Sequence, residues 1–432
     1  MRFRFQPPVQ LSSSGHHLLP LPTPPPFLSS SPSLSTCSIS HHHRLMFSTF
    51  LLLGTTTPMT MEKTAVNLLS FWNCHSSSSS SSRCTSSFGI AFDIDGVILR
   101  GQNPIGNSPA ALKRLYHDYS GNLKIPFLFL TNGGGTPESR RAFEMSQLLG
   151  VKILPSQVVQ GHSCFRSLLK RFKNDFIVAT GKGEPELVMS EYGFRNVISL
   201  DDYASYFDNI DPVAQYKSWK VKQESNMLPF SMKSIQYVSL DRVKAAFIVS
   251  DPVDWGRDIQ VLCDILSSRG LLGGEEEHQP PLFFAADDLQ YQAAFPSERL
   301  GIGAFRIALE SVFNRIHDMP LECTVFGKPN PFVFRNAEAI LRHIWAFSCH
   351  GNAIRPEDED SSSHSFKTLY MIGDNPLVDI KGALQAGHPW FSILTRTGVF
   401  RQTENHAEYP ADVVVDTVAE AVDFILERES AP

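Results

Sequence analysis

The stretch "SFGIAFDIDGVILRG", Ser87 to Gly101, decides the fold. The run Phe88 to Phe92 reads as a strand buried on both faces, and it stops abruptly at Asp93-Ile94-Asp95-Gly96. A carboxylate next to a core strand is costly unless a cation or hydrogen-bond donors meet it. The two aspartates therefore mark a point where the core reaches a site.

The pattern recurs. "IPFLFLTN" (125–132) ends in Thr131-Asn132, "ECTVFGKP" (322–329) in Lys328-Pro329, and "TLYMIGD" (368–374) in Asp374, followed by Asn375 and, five positions on, by Asp379. Other apolar runs, at 175–181, 245–251, 281–287, 389–398 and 411–415, also read as strands. Helical stretches separate most of them, such as 108–119, with Ser108 as cap and Pro109 at its first position, and 136–150, opened by Thr136-Pro137 and closed by Gly150. Continuous apolar strands are those of a parallel sheet covered on both faces. Strand–helix alternation makes the fold class α/β, a doubly wound parallel sheet. In such sheets ligands bind at the carboxyl ends of the strands, so four ends far apart in sequence can converge on one site.

The first 86 residues differ in kind. They hold five basic residues against the single acid Glu62, in a chain of 432 residues and formal charge −6. They are rich in Ser and Pro, with the serine run Ser76–Ser82, and cannot bury enough apolar surface to fold. Such a basic, acid-poor leader reads as a transit peptide, for the mitochondrion or alternatively the plastid. The expected division is 1–86 leader, 87–166 first part of the core, 167–298 an inserted domain, and 299–432 second part of the core. No apolar run approaches the roughly 18 residues of a membrane span. The acidic remainder argues against nucleic acid as a partner. Seven Cys without C-x-x-C spacing or paired rhythm offer neither a disulfide framework nor a zinc site.

The residues at the four strand ends suit phosphate and metal work. Mg2+ prefers oxygen ligands and keeps several waters, and Asp93 and Asp374 are the natural carboxylates for it. A carboxylate is a competent nucleophile toward phosphorus, and an acid two residues on can protonate a leaving oxygen. Lys328 and the metal would neutralise phosphoryl oxygens, and Thr131 could donate to one of them.

"DIDGVI", "LTN", "GKP" and "GDNPLVD", in this order, resemble the four motifs of haloacid dehalogenase-like hydrolases. The resemblance implies a Rossmann-like core, with Asp93 as a nucleophile that forms an aspartyl-phosphate. Asp95 becomes general acid and then base, and lends its backbone carbonyl to Mg2+. Thr131, Asn132 and Lys328 bind the phosphoryl group, and Asp374 is a metal ligand. Asp379 and Asn375 support the metal's surroundings or Lys328. An acid at Asp95 distinguishes phosphohydrolases of this superfamily from dehalogenases. Only 36 positions separate Asp95 from Thr131, whereas 197 separate Thr131 from Lys328, so a large α/β cap falls between the latter, as in class IIA members.

The cap text "GKGEPELVMSEYGFRNVISLDD" and "SDPVDWGRDIQVLCDIL" is similar to the mitochondrial cat-eye-syndrome-critical-region subgroup. Two departures stand out: "TNGGG" replaces the usual Thr-Asn-Asn, and "FFAADDLQY" stands where class IIA members carry Thr-Asn-x-Asp. The resemblance implies hydrolysis of a small phosphorylated metabolite. A low-turnover metabolite-binding or scaffold protein and a role in glycerophospholipid metabolism stay open as alternatives. Such relatives often pair through their caps, which leaves a homodimer open.

Several features have plainer readings. Gly133-Gly134-Gly135 either cradles a phosphate or permits a tight turn. "ATGKGEP" (179–185) lacks the phosphate-loop pattern and reads as a cap turn. His162 and Cys164 read as core packing. Asp287 and Asp288 either face the site or cap a loop.

Overall fold

The structure, a computed structural model, describes residues 87–117, 122–217, 242–267, 279–350 and 365–431. The leader, most of the aromatic stretch 203–234 and nearly all of the charged stretch 355–365 lie outside the described residues.

Fifteen strands occur among the described residues, in chain order. They are β1 (Phe88–Phe92), β2 (Leu99–Arg100), β3 (Asn103–Pro104), β4 (Phe127–Leu130), β5 (Val158–Val159), β6 (Phe176–Thr180), β7 (Asn196–Ser199), β8 (Ala245–Ile248), β9 (Leu282–Phe284), β10 (Gln290–Tyr291), β11 (Arg299–Leu300), β12 (Thr324–Val325), β13 (Thr368–Gly373), β14 (Trp390–Thr395) and β15 (Val413–Val415). Six form one sheet in the order β15-β14-β13-β1-β4-β5, and five a second in the order β12-β9-β8-β6-β7. Every pairing in the two sheets is parallel.

β1 lies between β13 and β4, with Phe92 level with Ile372 on one side and Phe129 on the other. All five of its residues are buried, which is why its sequence is apolar throughout rather than alternating. β2–β3 and β10–β11 are short antiparallel pairs outside the sheets. Each large sheet has its own apolar core. The first gathers Phe92, Phe127, Phe129 and Tyr370, and the second Phe165, Phe247, Phe284 and Phe305. No described helix is long and apolar enough to cross a membrane.

Three expectations are corrected here. The second sheet runs further along the chain than residue 298. Thr324–Val325 pairs with Phe283–Phe284, and the helix Ile302–Ile316 buries Ile302, Phe305, Leu309 and Phe313 in the second core. "TVFG" is too short a run to show in sequence which of two sheets it joins. The helix expected over 108–119 spans only Ser108–Lys113, and Tyr116 instead bridges to Leu123. Ser108 does not cap it, because its hydroxyl donates to the Ile98 carbonyl at 3.1 Å; nor does Thr136 cap the helix Glu138–Leu149, which is preceded by Pro137.

Candidate active site

Asp93 follows β1, Thr131 follows β4 and Asp374 follows β13, so three neighbouring strands of the first sheet deliver them to one edge. Lys328 arrives from the second sheet, three residues beyond β12. Its Nζ is buried and donates to Asp93 Oδ1 at 2.7 Å and to Asp379 Oδ1 at 2.6 Å. Asp379 is pinned from its other side, its Oδ2 accepting the Asn375 N–H at 3.0 Å. Asp374 Oδ2 accepts the Val399 N–H at 2.7 Å. The chain passes so close beneath Asp374 that a β-carbon at Gly96 (φ +93°) would collide with its carboxylate.

One lysine is too little charge for this cluster. Burial pushes the Asp93 carboxyl up to about 7; Lys328 opposes the shift and Asp379 adds to it. Burial likewise raises Asp374 well above the carboxylate range, with Asp93 and Asp379 acting in the same sense. Burial works against the charge of Lys328, but Asp379 and Asp93 together raise its pKa. Ligand oxygens of Asp93, Asp374 and Asp379 lie within 4.8 Å of one another. An oxygen-only donor set with surplus negative charge fits a hard divalent cation such as Mg2+. Asp379 is the least suited of the three to ligate, because both its oxygens are already bonded to Lys328 and Asn375.

Thr131 is poised to donate: its oxygen accepts the Gly133 N–H at 3.1 Å, leaving the hydroxyl proton free for another acceptor. The Asn132 side chain braces Lys328, donating to the Lys328 carbonyl at 2.8 Å and accepting the Lys328 N–H at 2.7 Å. It also hydrogen-bonds Asp288. The Asn375 side-chain oxygen accepts the Leu377 N–H at 3.1 Å. Asp95 sits in the loop after β1, facing Gly133, where any β-carbon would come within 2.9 Å of its carboxylate. Burial raises its pKa, against the nearby charges of Arg141 and Lys182.

These residues line a narrow cavity of about 50 Å³ whose far wall is Lys182, Ser250, Asp251, Asp288 and Tyr291. A larger cavity, about 530 Å³, lies against β5 and the helix Pro331–His350 and contains none of the motif residues. Sequence reasoning missed Lys182 and Ser250-Asp251, although the signal was present. They follow the ends of β6 and β8, polar residues after apolar strands just like Asp93.

The loop at Gly133-Gly134-Gly135 packs on the turn at 181–184. Gly135 (φ +106°) accepts the Glu184 N–H at 2.6 Å, and a β-carbon there would collide with the Lys182 carbonyl. Behind it, His162 Nδ1 lies 2.7 Å from the Tyr192 hydroxyl, which donates to Glu138 at 2.6 Å. Burial pushes His162 down to about 4, so it is neutral and structural. Cys164 is buried in the first core. Asp287 pairs with Arg306 at 2.6 Å, while Asp288 faces the cavity.

A family model described as haloacid dehalogenase-like hydrolase matches residues 90–195, and a second, HAD-hydrolase-like, matches 325–421. Between them they contain Asp93, Asp95, Thr131, Asn132, Lys182, Lys328, Asp374, Asn375 and Asp379, whereas Ser250, Asp251 and Asp288 fall between the two matches. The chain belongs to the haloacid dehalogenase-like hydrolase family, and it is an enzyme of the phosphatase class. It is 31% identical over 352 residues to a mitochondrial hydrolase of Saccharomyces cerevisiae, covering 78% of this chain and 95% of that protein. It is 32% identical to a cardiolipin synthase (CMP-forming)/mitochondrial hydrolase fusion protein of Schizosaccharomyces pombe, over 78% of this chain and 53% of that one. A phospholysine phosphohistidine inorganic pyrophosphate phosphatase of Rattus norvegicus is 31% identical over 153 residues, 35% of this chain and 46% of its own length.

Proposed function

We propose that this chain hydrolyses a small phosphate monoester with Mg2+, through an aspartyl-phosphate on Asp93. The observation that supports the reading is the buried set Asp93, Lys328 and Asp374, whose oxygen donors suit a divalent cation, in a cavity narrow enough to orient one phosphoryl group.

Asp93 and Asp374 would hold the metal with their carboxylates and Asp95 with its backbone carbonyl. Bound there, Mg2+ supplies positive charge for the phosphoryl oxygens and keeps the carboxylates ionised. An Asp93 carboxylate oxygen attacks phosphorus, and the bond from phosphorus to the ester oxygen breaks. Asp95, whose carboxyl is kept protonatable by burial, gives its proton to the departing oxygen. Asp95 then takes a proton from the water that attacks the aspartyl-phosphate, releasing phosphate and restoring Asp93. Lys328 and the Thr131 hydroxyl bind phosphoryl oxygens throughout. Asn132 and Asp379 keep Lys328 in place.

The fusion partner of the Schizosaccharomyces pombe relative favours a second, narrower reading, in which the ester belongs to glycerophospholipid metabolism. The basic leader and the mitochondrial names of two relatives support action in the mitochondrion. The test is phosphate release by the full chain from a panel of small esters, with and without Mg2+ and with Asp93→Asn as control. Metal-dependent release that the variant abolishes is the expected result. No release by folded protein that binds Mg2+ would leave a metabolite-binding or scaffold role in its place.

A further inference from the structure

The far wall of the cavity is a built surface. The Lys182 N–H donates to the Asp251 carbonyl at 2.8 Å, and the Ser250 hydroxyl donates to the Lys182 carbonyl at 2.7 Å. The Lys182 ammonium lies 2.6 Å from the Asp251 carboxylate and 5.1 Å from the centre of the Tyr291 ring. Lys182 is thus held by both ends, with its charge met by one carboxylate and one aromatic face. Burial opposes that charge, yet Asp251 beside it raises the lysine's pKa.

In the proposed reaction Asp95 protonates the departing oxygen, and Asp95, Lys182, Ser250 and Asp251 line one cavity, which sets this wall on the leaving-group side. The charge of Arg141 also acts on Asp95. Arg141 is paired with Glu144 at 3.3 Å.

Among the described lining residues the cations are Lys182 and Lys328, and both are ion-paired. Lys328 belongs to the phosphoryl group. On the leaving-group side Lys182 and Asp251 cancel. Asp288 also lines the cavity, but the groups that act on it are Lys328 and Asn132 on the phosphoryl side. The leaving-group side therefore offers no net positive charge. The Tyr291 face is already taken by Lys182. Gln292 is spent on the carbonyls of Ala293 and Phe295 and on Arg401, which itself pairs with Glu298. A second anionic group on the substrate would meet Asp251 with no unpaired cation among the described lining residues to receive it. Hydroxyls, by contrast, can accept from the remaining ammonium protons and donate to carboxylate oxygens.

We infer that Lys182, Asp251 and Tyr291 form the leaving-group subsite, and that it selects a phosphate ester of a neutral, hydroxyl-bearing alcohol over one whose alcohol carries a second negative charge. The inference rests on the phosphohydrolase reading and narrows its substrate class. Asp251 is the discriminating group, because it cancels the one cation that could welcome an anion.

The test compares glycerol 1-phosphate with 3-phosphoglycerate, similar in size but differing in the carboxylate, using the full chain with Mg2+. The wild-type protein should favour glycerol 1-phosphate in kcat/KM by about tenfold or more, a difference of about 1.4 kcal/mol in transition-state binding. Asp251→Asn, which frees the charge of Lys182, should narrow that ratio by about tenfold, mainly by lowering KM for 3-phosphoglycerate. Lys182→Met, an independent change on the other half of the pair, should widen it. A ratio unchanged in both variants, or a wild-type preference for 3-phosphoglycerate, overturns the inference while leaving the phosphohydrolase intact. Absence of metal-dependent release from every ester by the folded protein overturns both.

Discussion

The ammonium of Lys328 lies 2.7 Å from the carboxylate of Asp93, a residue 235 positions earlier in the chain and carried by the other sheet. The nucleophile and the cation that steadies it are thus supplied by separate bodies of apolar packing, and the site exists only where the two meet.

Asp93→Asn tests the chemistry without dismantling that meeting point. Asn is isosteric, and Lys328 keeps its 2.6 Å bond to Asp379. Turnover should fall by about 10³-fold or more, since an amide cannot form the covalent intermediate. Circular dichroism and the denaturation midpoint should change little. Retained turnover would rule out Asp93 as nucleophile.

Lys328→Met should act on the fold as well as on catalysis. It strips from Asp93 Oδ1 its side-chain partner among the described residues and leaves Asp379 half-bonded in a buried setting. Breaking a buried pair from one side costs roughly 3–5 kcal/mol. Urea denaturation at neutral pH would read this directly, and a midpoint equal to wild type would contradict the arrangement.

The acidic cluster makes stability depend on pH and metal together. Asp93 and Asp288 are raised from 3.8 to about 7 in the folded chain. A carboxyl raised on folding favours the protonated native state. Its contribution is complete below about pH 3.8 and is lost as pH rises toward 7. Metal-free protein should therefore lose roughly 2–3 kcal/mol for each of these two carboxyls between pH 5 and pH 7.5, at about 1.4 kcal/mol for each pH unit over which the carboxyl is protonated in the folded chain and ionised in the unfolded one. Added Mg2+ should restore more at pH 7.5 than at pH 5, because protons and metal compete for Asp93. Equal Mg2+ protection at both pH values would show that the metal does not engage this carboxyl.

Gly135→Ala addresses the contact between the two loops. The residue is left-handed, and its added carbon would strike the Lys182 carbonyl. A cost of about 1–3 kcal/mol is expected, with a raised KM because Lys182 is displaced. Gly106→Ala is the control: it is also left-handed, but nothing lies within 4 Å of its added carbon. Similar losses in the two variants would mean that the backbone conformation alone, and not the contact, sets the cost.

Much of the first sheet's edge was legible because a carboxylate after a fully apolar strand contradicts its neighbours, and Asp93, Asp374 and Thr131 all stand out that way. What was not legible depended on partners far away in the chain. Nothing local to "TVFG" shows that Val325 pairs with Phe284 rather than with a strand of the first sheet. That the Asn132 amide bonds the Lys328 backbone, 196 positions away, is equally invisible in the local sequence. The Ser108 hydroxyl was lost to the Ile98 carbonyl for the same reason, since a local cap competes with a tertiary acceptor.

The order of strands in the first sheet has a further consequence. β1, β4 and β5 precede the second sheet in the chain, and β13, β14 and β15 follow it. A single cut anywhere from β6 to β12 would part the molecule into one fragment bearing Asp93, Asp95 and Thr131 and another bearing Lys328, Asp374 and Asp379. Neither fragment alone holds both the nucleophile and its cation, so each would be silent, and recovered turnover would report that β1 and β13 had found one another again.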